Sequence, residues 1–203
     1  MEGKTAHNRS LVSSYPKQYE VSVTTKGGLD IFVRPIKPED APMLIRLFHT
    51  LSEKSIYYRF LSPLKSLPPD MLARFTQIDY DRDMAVVALD DSHEEEKMLG
   101  VARFMGYPDG KRGEIAVAVG DPWQGKGVGA TLMQQLITIA KERGFETLWG
   151  IVLAENTHML ALARRVGAQV SFIPGEGQYE LKIDLKEISM DENHARAIHD
   201  LDS

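Results

Sequence analysis

The sequence predicts an α/β (α+β) domain: a mixed, mostly antiparallel sheet with a parallel central strand pair, flanked by helices. Two observations carry this. Three apolar or alternating runs, 84–89, 98–107 and 113–119, follow one another across short turns, the pattern of an antiparallel meander. The third run then passes through a glycine-rich turn and a helical stripe to a buried run at 147–153. A helix crossover of that kind makes the two flanking strands parallel.

The elements follow in order. Residues 1–18 are polar and aperiodic, so a flexible N-terminal arm is expected before a folded domain at 19–185. Tyr19–Thr24 alternates, Lys26-Gly27-Gly28 turns, and Leu29–Ile36 is extended again, which reads as a hairpin. Pro38-Glu39-Asp40 opens a helix that carries Met43, Leu44, Leu47, Phe48 and Leu51 on one face. A second helical piece, Ser55–Leu61, brings Ile56, Tyr57, Tyr58 and Phe60. A third follows Pro68-Pro69 with Met71, Leu72, Phe75 and Ile78. These aromatics read as core, with an acceptor pocket as the alternative. The acidic run Asp90–Glu96 is expected to be a solvated hairpin tip.

Glu114, Ala116 and Ala118 alternate with Ile115, Val117 and Val119 in the third meander strand. Asp121-Pro122 ends it, because proline offers no ladder donor. After the turn, Leu132, Met133, Leu136, Ile137 and Ala140 form a helical stripe capped by Gly144. Beyond the 147–153 strand, Glu155-Asn156 leads into a helix through Met159, Leu160, Leu162 and Val166. A closing hairpin spans Gln169–Ile173 and Tyr179–Leu185, and 186–203 is a polar C-terminal tail.

The turn Gln124-Gly125-Lys126-Gly127-Val128-Gly129 is the strongest signal for a ligand. It joins a strand end to a helix start, where free amides and the helix dipole favour an anion. A P-loop would need Ser or Thr after Gly125-Lys126, and Gly127 stands there. Gly125, Gly127 and Ala130 match the dinucleotide fingerprint formally, but Asp-Pro-Trp separates them from the strand. Gln-x-x-Gly-x-Gly, met by Gln124, Gly127 and Gly129, remains. A bulky residue at Gly127 or Gly129 is expected to block backbone approach to a phosphate.

Composition bounds the function. A chain of 203 residues with 43% hydrophobic and 26% charged residues suits one globular domain with tails. A net charge of −5 argues against general nucleic-acid binding and mildly favours a cationic acceptor. With no cysteine, disulfides, thiolate metal sites and cysteine nucleophiles are excluded, and no metal is expected. No run is long enough to span a membrane, and the polar start is unlike a signal peptide, so a cytoplasmic protein is expected.

The Gln124–Gly129 loop and the order of elements around it resemble the GNAT acyltransferases, over roughly Ile31–Leu185. Within that superfamily the chain is similar to the catalytic domain of bacterial Pat-type protein lysine acetyltransferases. The matching stretches are Val33–Ile36, Leu51–Ser55 with Tyr58-Arg59-Phe60, Ile78–Met84 and Trp123–Gly127. The resemblance implies the GNAT fold, with the two parallel strands splayed, and acetyl-CoA as cosubstrate. Its pyrophosphate would lie on the amides of Gln124, Gly125, Lys126, Gly127, Gly129 and Ala130. Its pantetheine arm would pair with Val117 and Val119, and Asn156 would meet the arm or the acceptor side.

Glu114, ten residues before Gln124, stands where many protein-acetylating members place a general base. An amine with a pKa near 10.4 must lose a proton before it attacks a thioester. The alternative is that Glu114 caps an exposed strand end. The resemblance further implies a protein lysine acceptor, with an AMP-forming acyl-CoA synthetase as the protein substrate. A small amine or amino-acid acceptor and a non-catalytic acyl-CoA sensor are the competing readings. Asp79, Asp81 and Asp83 either draw in a cationic acceptor or serve as turn residues. The tyrosine that many members use as an acid falls by count on Ala163, and His158 reads as a surface helix residue.

Overall fold

A computed structural model describes residues 14–90 and 96–187. Among these, β1 (Val21–Thr24) and β2 (Asp30–Pro35) precede three short helices, α1 (Ala41–Phe48), α2 (Glu53–Phe60) and α3 (Pro69–Thr76). The meander β3 (Met84–Asp90), β4 (Met98–Gly106) and β5 (Arg112–Val119) follows, then α4 (Val128–Glu142), β6 (Thr147–Leu153), α5 (Thr157–Arg165), β7 (Gln169–Ile173) and β8 (Gln178–Asp184).

All eight strands join one sheet in the order β1-β2-β3-β4-β5-β6-β8-β7. Every neighbouring pair is antiparallel except β5 and β6. The crossover through α4 enforces that exception. The closing hairpin docks through its second strand: β8 pairs along all of β6, and β7 forms the edge.

The alternation of side chains divides the core in two. Met84, Val86 and Ala88 face the α4 side with Leu132, Met133 and Leu136, while Ala85, Val87 and Leu89 face α1 and its Leu44 and Leu47. Helices on both faces explain why β3 is a nearly unbroken apolar run. A third cluster, Val152, Leu160, Ala163 and Leu181, seats α5.

Local chemistry sets the helix ends. Ser52 caps α2 by accepting from the Ser55 amide, and Leu61 ends it at φ 52°. Helix α2 therefore begins two residues earlier than the apolar pattern implies, because Glu53 and Lys54 carry no hydrophobic signal. Helix α4 likewise begins at Val128 rather than Ala130, through the glycine turn itself.

The expected N-terminal arm lies outside the described residues up to residue 13. Its last residues are held: Tyr15 donates to Glu20 at 2.8 Å and meets the Tyr80 ring edge-on. Most of the Asp90–Glu96 run and of the C-terminal tail also lies outside. Lys186 pairs with Glu146 at 2.8 Å.

Candidate active site

The site begins with β5. The amide of Gly120 donates to the Leu99 carbonyl, which fixes the antiparallel phase. By alternation, the even-numbered residues of β5 direct their backbone groups at β4, and the odd-numbered ones direct theirs at β6. Strand β6 answers only at the start, through Arg112–Thr147, Gly113–Leu148 and Glu114–Trp149. Beyond Glu114 the two strands part. Val117 and Val119 thus present backbone to a gap, with half-buried side chains on the α4 face.

Glu114 stands where the gap opens, on the opposite face, beneath α1–α3. It is half-buried rather than the cap of an exposed strand end. Among the described residues its carboxylate has no hydrogen-bond or ion-pair partner, although its charge acts on Arg59.

At its far end the gap meets the glycine turn. Gly127 is the N-cap of α4 at φ 88°, left-handed, and no side chain caps the helix. The first intrahelical bond runs from the Thr131 amide to the Gly127 carbonyl, so the amides of Val128, Gly129 and Ala130 precede it. These are the donors that an anion takes at a helix start. Gly125 is also left-handed at φ 74°, and Lys126 is exposed between the two.

The β1–β2 turn buttresses this loop. A Cβ on Gly27 would lie 2.6 Å from the Lys126 carbonyl oxygen, and one on Gly127 would lie 3.1 Å from Thr25 Cβ. Nothing in the local sequence of Lys26-Gly27-Gly28 announces this contact beyond its glycine pair.

The side chain of Gln124 is engaged within the protein. Its Nε2 shares two N–H donors among the Val119 carbonyl (3.0 Å), Asp121 Oδ1 (3.0 Å) and Ser55 Oγ (3.3 Å). The side chain therefore ties the end of β5 to α2. Asp121 Oδ2 adds a bond from the Ser52 amide. Tyr58 reaches across from α2 to donate to the Glu155 carbonyl at 3.2 Å, so α2 bridges the gap on the Glu114 face.

Asn156 caps α5, its Oδ1 accepting from the Met159 amide at 3.1 Å. Ala163 is fully buried against Val152 and Leu181, away from the gap. The side chains that α5 packs into the cluster of Val117 and Val119 are Met159 and Leu162. His158 is exposed. Asp79 accepts from the Asp81 amide within its turn, and Asp83 accepts from the Gly106 amide at the end of β4, so both acids have structural bonds. Asp81 is exposed.

A small, partly open hollow lies under α1–α3 beside β5. Arg59 and Arg103 line it together with Leu47, Phe60, Phe75 and Ala118. Sequence reasoning missed both arginines. The available signal was an arginine within the apolar run Leu99–Phe104, at a position facing the α1–α3 side.

A model of the acetyltransferase (GNAT) family matches residues 52–168. An acetyltransferase of Pseudomonas aeruginosa is 31% identical over 140 residues, covering 69% of this chain and 75% of that protein. The acetyltransferase Pat of Mycolicibacterium smegmatis is 28% identical over 150 residues, covering 73% of this chain but 44% of Pat. The GNAT domain of S. lividans PAT superposes with a TM-score of 0.77 at 26% identity, over 84% of this chain and 99% of that one. A Salmonella typhimurium structure, yncA with its cofactor acetyl-CoA, shares the fold at TM-score 0.64 and 17% identity, over 78% of this chain and 96% of that one.

Proposed function

The chain belongs to the acetyltransferase (GNAT) family, and we propose that it transfers an acetyl group directly from acetyl-CoA to a primary amine, with a protein lysine as acceptor. The observation that carries the transfer is the interrupted β5–β6 ladder, which leads from Glu114 past Val117 and Val119 to the uncapped start of α4. An arm carrying amides can pair with the backbone of Val117 and with the Val119 amide. Its phosphates then reach the amides of Val128–Ala130. That alignment sets the thioester near the mouth of the gap, beside Glu114.

The chemistry follows from the placement. The amine arrives on the α1–α3 face, and Glu114 takes its proton, directly or through water. The nitrogen lone pair forms the C–N bond as the C–S bond breaks. A thiol is acidic enough to leave as thiolate without a dedicated acid, with Cys near 8.5 as the reference. This suits the apolar face of Met159 and Leu162 on α5.

The likeness to the Pat proteins supports the lysine acceptor. Incubation with acetyl-CoA and an AMP-forming acyl-CoA synthetase, followed by mapping of acetyl-lysine, tests it. Enzyme-dependent labelling of one lysine is expected; labelling no greater than the enzyme-free control would overturn it. A second reading, a small amine or amino acid, is favoured by the partly enclosed cavity walled by Phe60 and Phe75.

A further inference from the structure

The cavity beneath α1–α3 contains more positive charge than its surroundings balance. Arg103 is only 5% exposed, at the centre of β4. One of its five N–H donors is used, from Nη2 to the Phe75 carbonyl at 3.2 Å, and its guanidinium carbon lies 4.1 Å from the Phe75 ring centre. Arg59 approaches the same ring at 5.9 Å and the Phe60 ring at 5.0 Å, and has no hydrogen-bond partner among the described residues.

Among the described residues neither arginine has a carboxylate within ion-pairing distance. The buried pairing of Arg34 with Asp40, at 2.7 Å, shows how this chain satisfies a guanidinium when the role is structural. Asp83 and Glu114 act on Arg103 and Arg59 only at longer range. Burial and the Arg59 charge draw Arg103 down to about 9, which still leaves it charged at neutral pH. Two cations held together in an apolar wall are unfavourable without an anion. Among the described residues no side-chain nitrogen or oxygen is both fully buried and without a partner, so the unused donors open onto the cavity.

The place of the cavity gives the charge a meaning. Ala118 lines it, and Glu114 lies four residues along the same face of β5, about 13 Å away. Arg59, which lines the cavity, is close enough for the Glu114 charge to act on it. Resting on the reading of the β5–β6 gap as the transfer site, we propose that the Arg59–Arg103 cavity is a carboxylate subsite beside that point. It takes an acid group carried by one of the two reactants: the carboxylate of an amino-acid acceptor, or the terminal carboxylate of a dicarboxylic acyl group on coenzyme A. The arginines take the acid by charge-assisted hydrogen bonds.

Calorimetric titration of the full chain with two matched pairs tests this. The acceptor pair is N-acetyl-L-leucine and its amide; the donor pair is succinyl-CoA and butyryl-CoA, equal in chain length. In one pair the carboxylate form is expected to bind about 10- to 100-fold more tightly, the usual worth of hydrogen bonds to a charged group. The pair that responds identifies the source of the acid. In Arg103→Gln and Arg59→Gln that preference is expected to shrink to about threefold or less. Less than threefold preference in both pairs for the unaltered protein overturns the subsite, whether or not the variants fold. A preference that survives in both variants overturns it too. Acetyl-CoA binding without either preference leaves the transferase reading intact. Absence of acetyl-CoA binding removes that reading, and the acceptor pair still decides the subsite.

Discussion

Gly127 and Gly129 look equivalent in the sequence, and the structure predicts that they differ. Gly127 is left-handed at φ 88°, and an added Cβ would lie 3.1 Å from Thr25 Cβ and 3.2 Å from the Lys26 amide nitrogen. Alanine in that conformation costs about 1–2 kcal/mol before the tight contact with the β1–β2 turn is counted. For a domain of this size that is a fall of about 2–8 °C in Tm. The strain sits next to the amides of Val128–Ala130, and misaligning one charge-assisted bond weakens acetyl-CoA binding about 10-fold or more. Gly129 lies within the first turn of α4, and its Cβ would meet Leu162 and Val119 at an ordinary 3.4 Å. Alanine there is favoured by up to about 1 kcal/mol in a helix, so Tm is expected to hold or rise. Acetyl-CoA affinity in Gly129→Ala is expected within about threefold of the parent. Thermal unfolding paired with calorimetry on both variants decides the matter. Equal losses of affinity, or no loss in Gly127→Ala, would refute the argument.

Glu114→Gln is expected to lower turnover by roughly 10²–10⁴-fold while acetyl-CoA affinity stays within a few-fold, with partial recovery as pH rises and free amine accumulates; a steady-state rate close to the parent would remove the base role. Tyr80 is buried and donates to the Ile36 carbonyl; burial, then the Asp40 charge, raises its pKa above 10.0. A raised folded-state pKa contributes stability that is whole below pH of about 10 and lost as pH rises beyond it, so denaturant unfolding should show a steeper alkaline loss in the parent than in Tyr80→Phe. Tyr15 is shifted the same way by burial and then by Glu20, so some alkaline loss remains in that variant.

Much of the fold was legible because the periods were clean. The run Met84–Leu89 and the change of period across Gly125–Gly129 fix the meander and the crossover, and the structure follows both. The docking of the last hairpin was not legible, since a hairpin pattern says which strands pair but not which one reaches the sheet. Counting along α5 reached Ala163, but one residue is about 100° of helix, and the face toward the gap carries Met159 and Leu162 instead. Glu114 was legible as an acid ten residues before the loop. Its position where the ladder ends was not, because it depends on where β6 turns away. Arg59 enters the sequence argument only within the matching stretch Tyr58-Arg59-Phe60, and its chemistry appears only when α2 and α3 close over β4.

Gln124 carries a side-chain role that its place in the motif does not announce. The resemblance assigns its backbone amide to the phosphates, and its side chain separately joins Val119, Asp121 and Ser55. Ile56 is the one buried residue of α2, so polar bonds from Gln124, Asp121 and Tyr58 do much to set the helix over the gap. Each exposed bond contributes about 0.5–1.5 kcal/mol. Gln124→Ala removes the Gln124 bonds together and frees the Val119 carbonyl, which faces the open edge. The helix α4 amides are untouched. Acetyl-CoA affinity is therefore expected to change by less than about threefold, while the acceptor KM rises by about fivefold or more as Arg59 and Tyr58 lose their register. Separate titrations of donor and acceptor distinguish the two roles. A large loss of acetyl-CoA affinity with an unchanged acceptor KM would return Gln124 to the phosphate loop as a direct ligand.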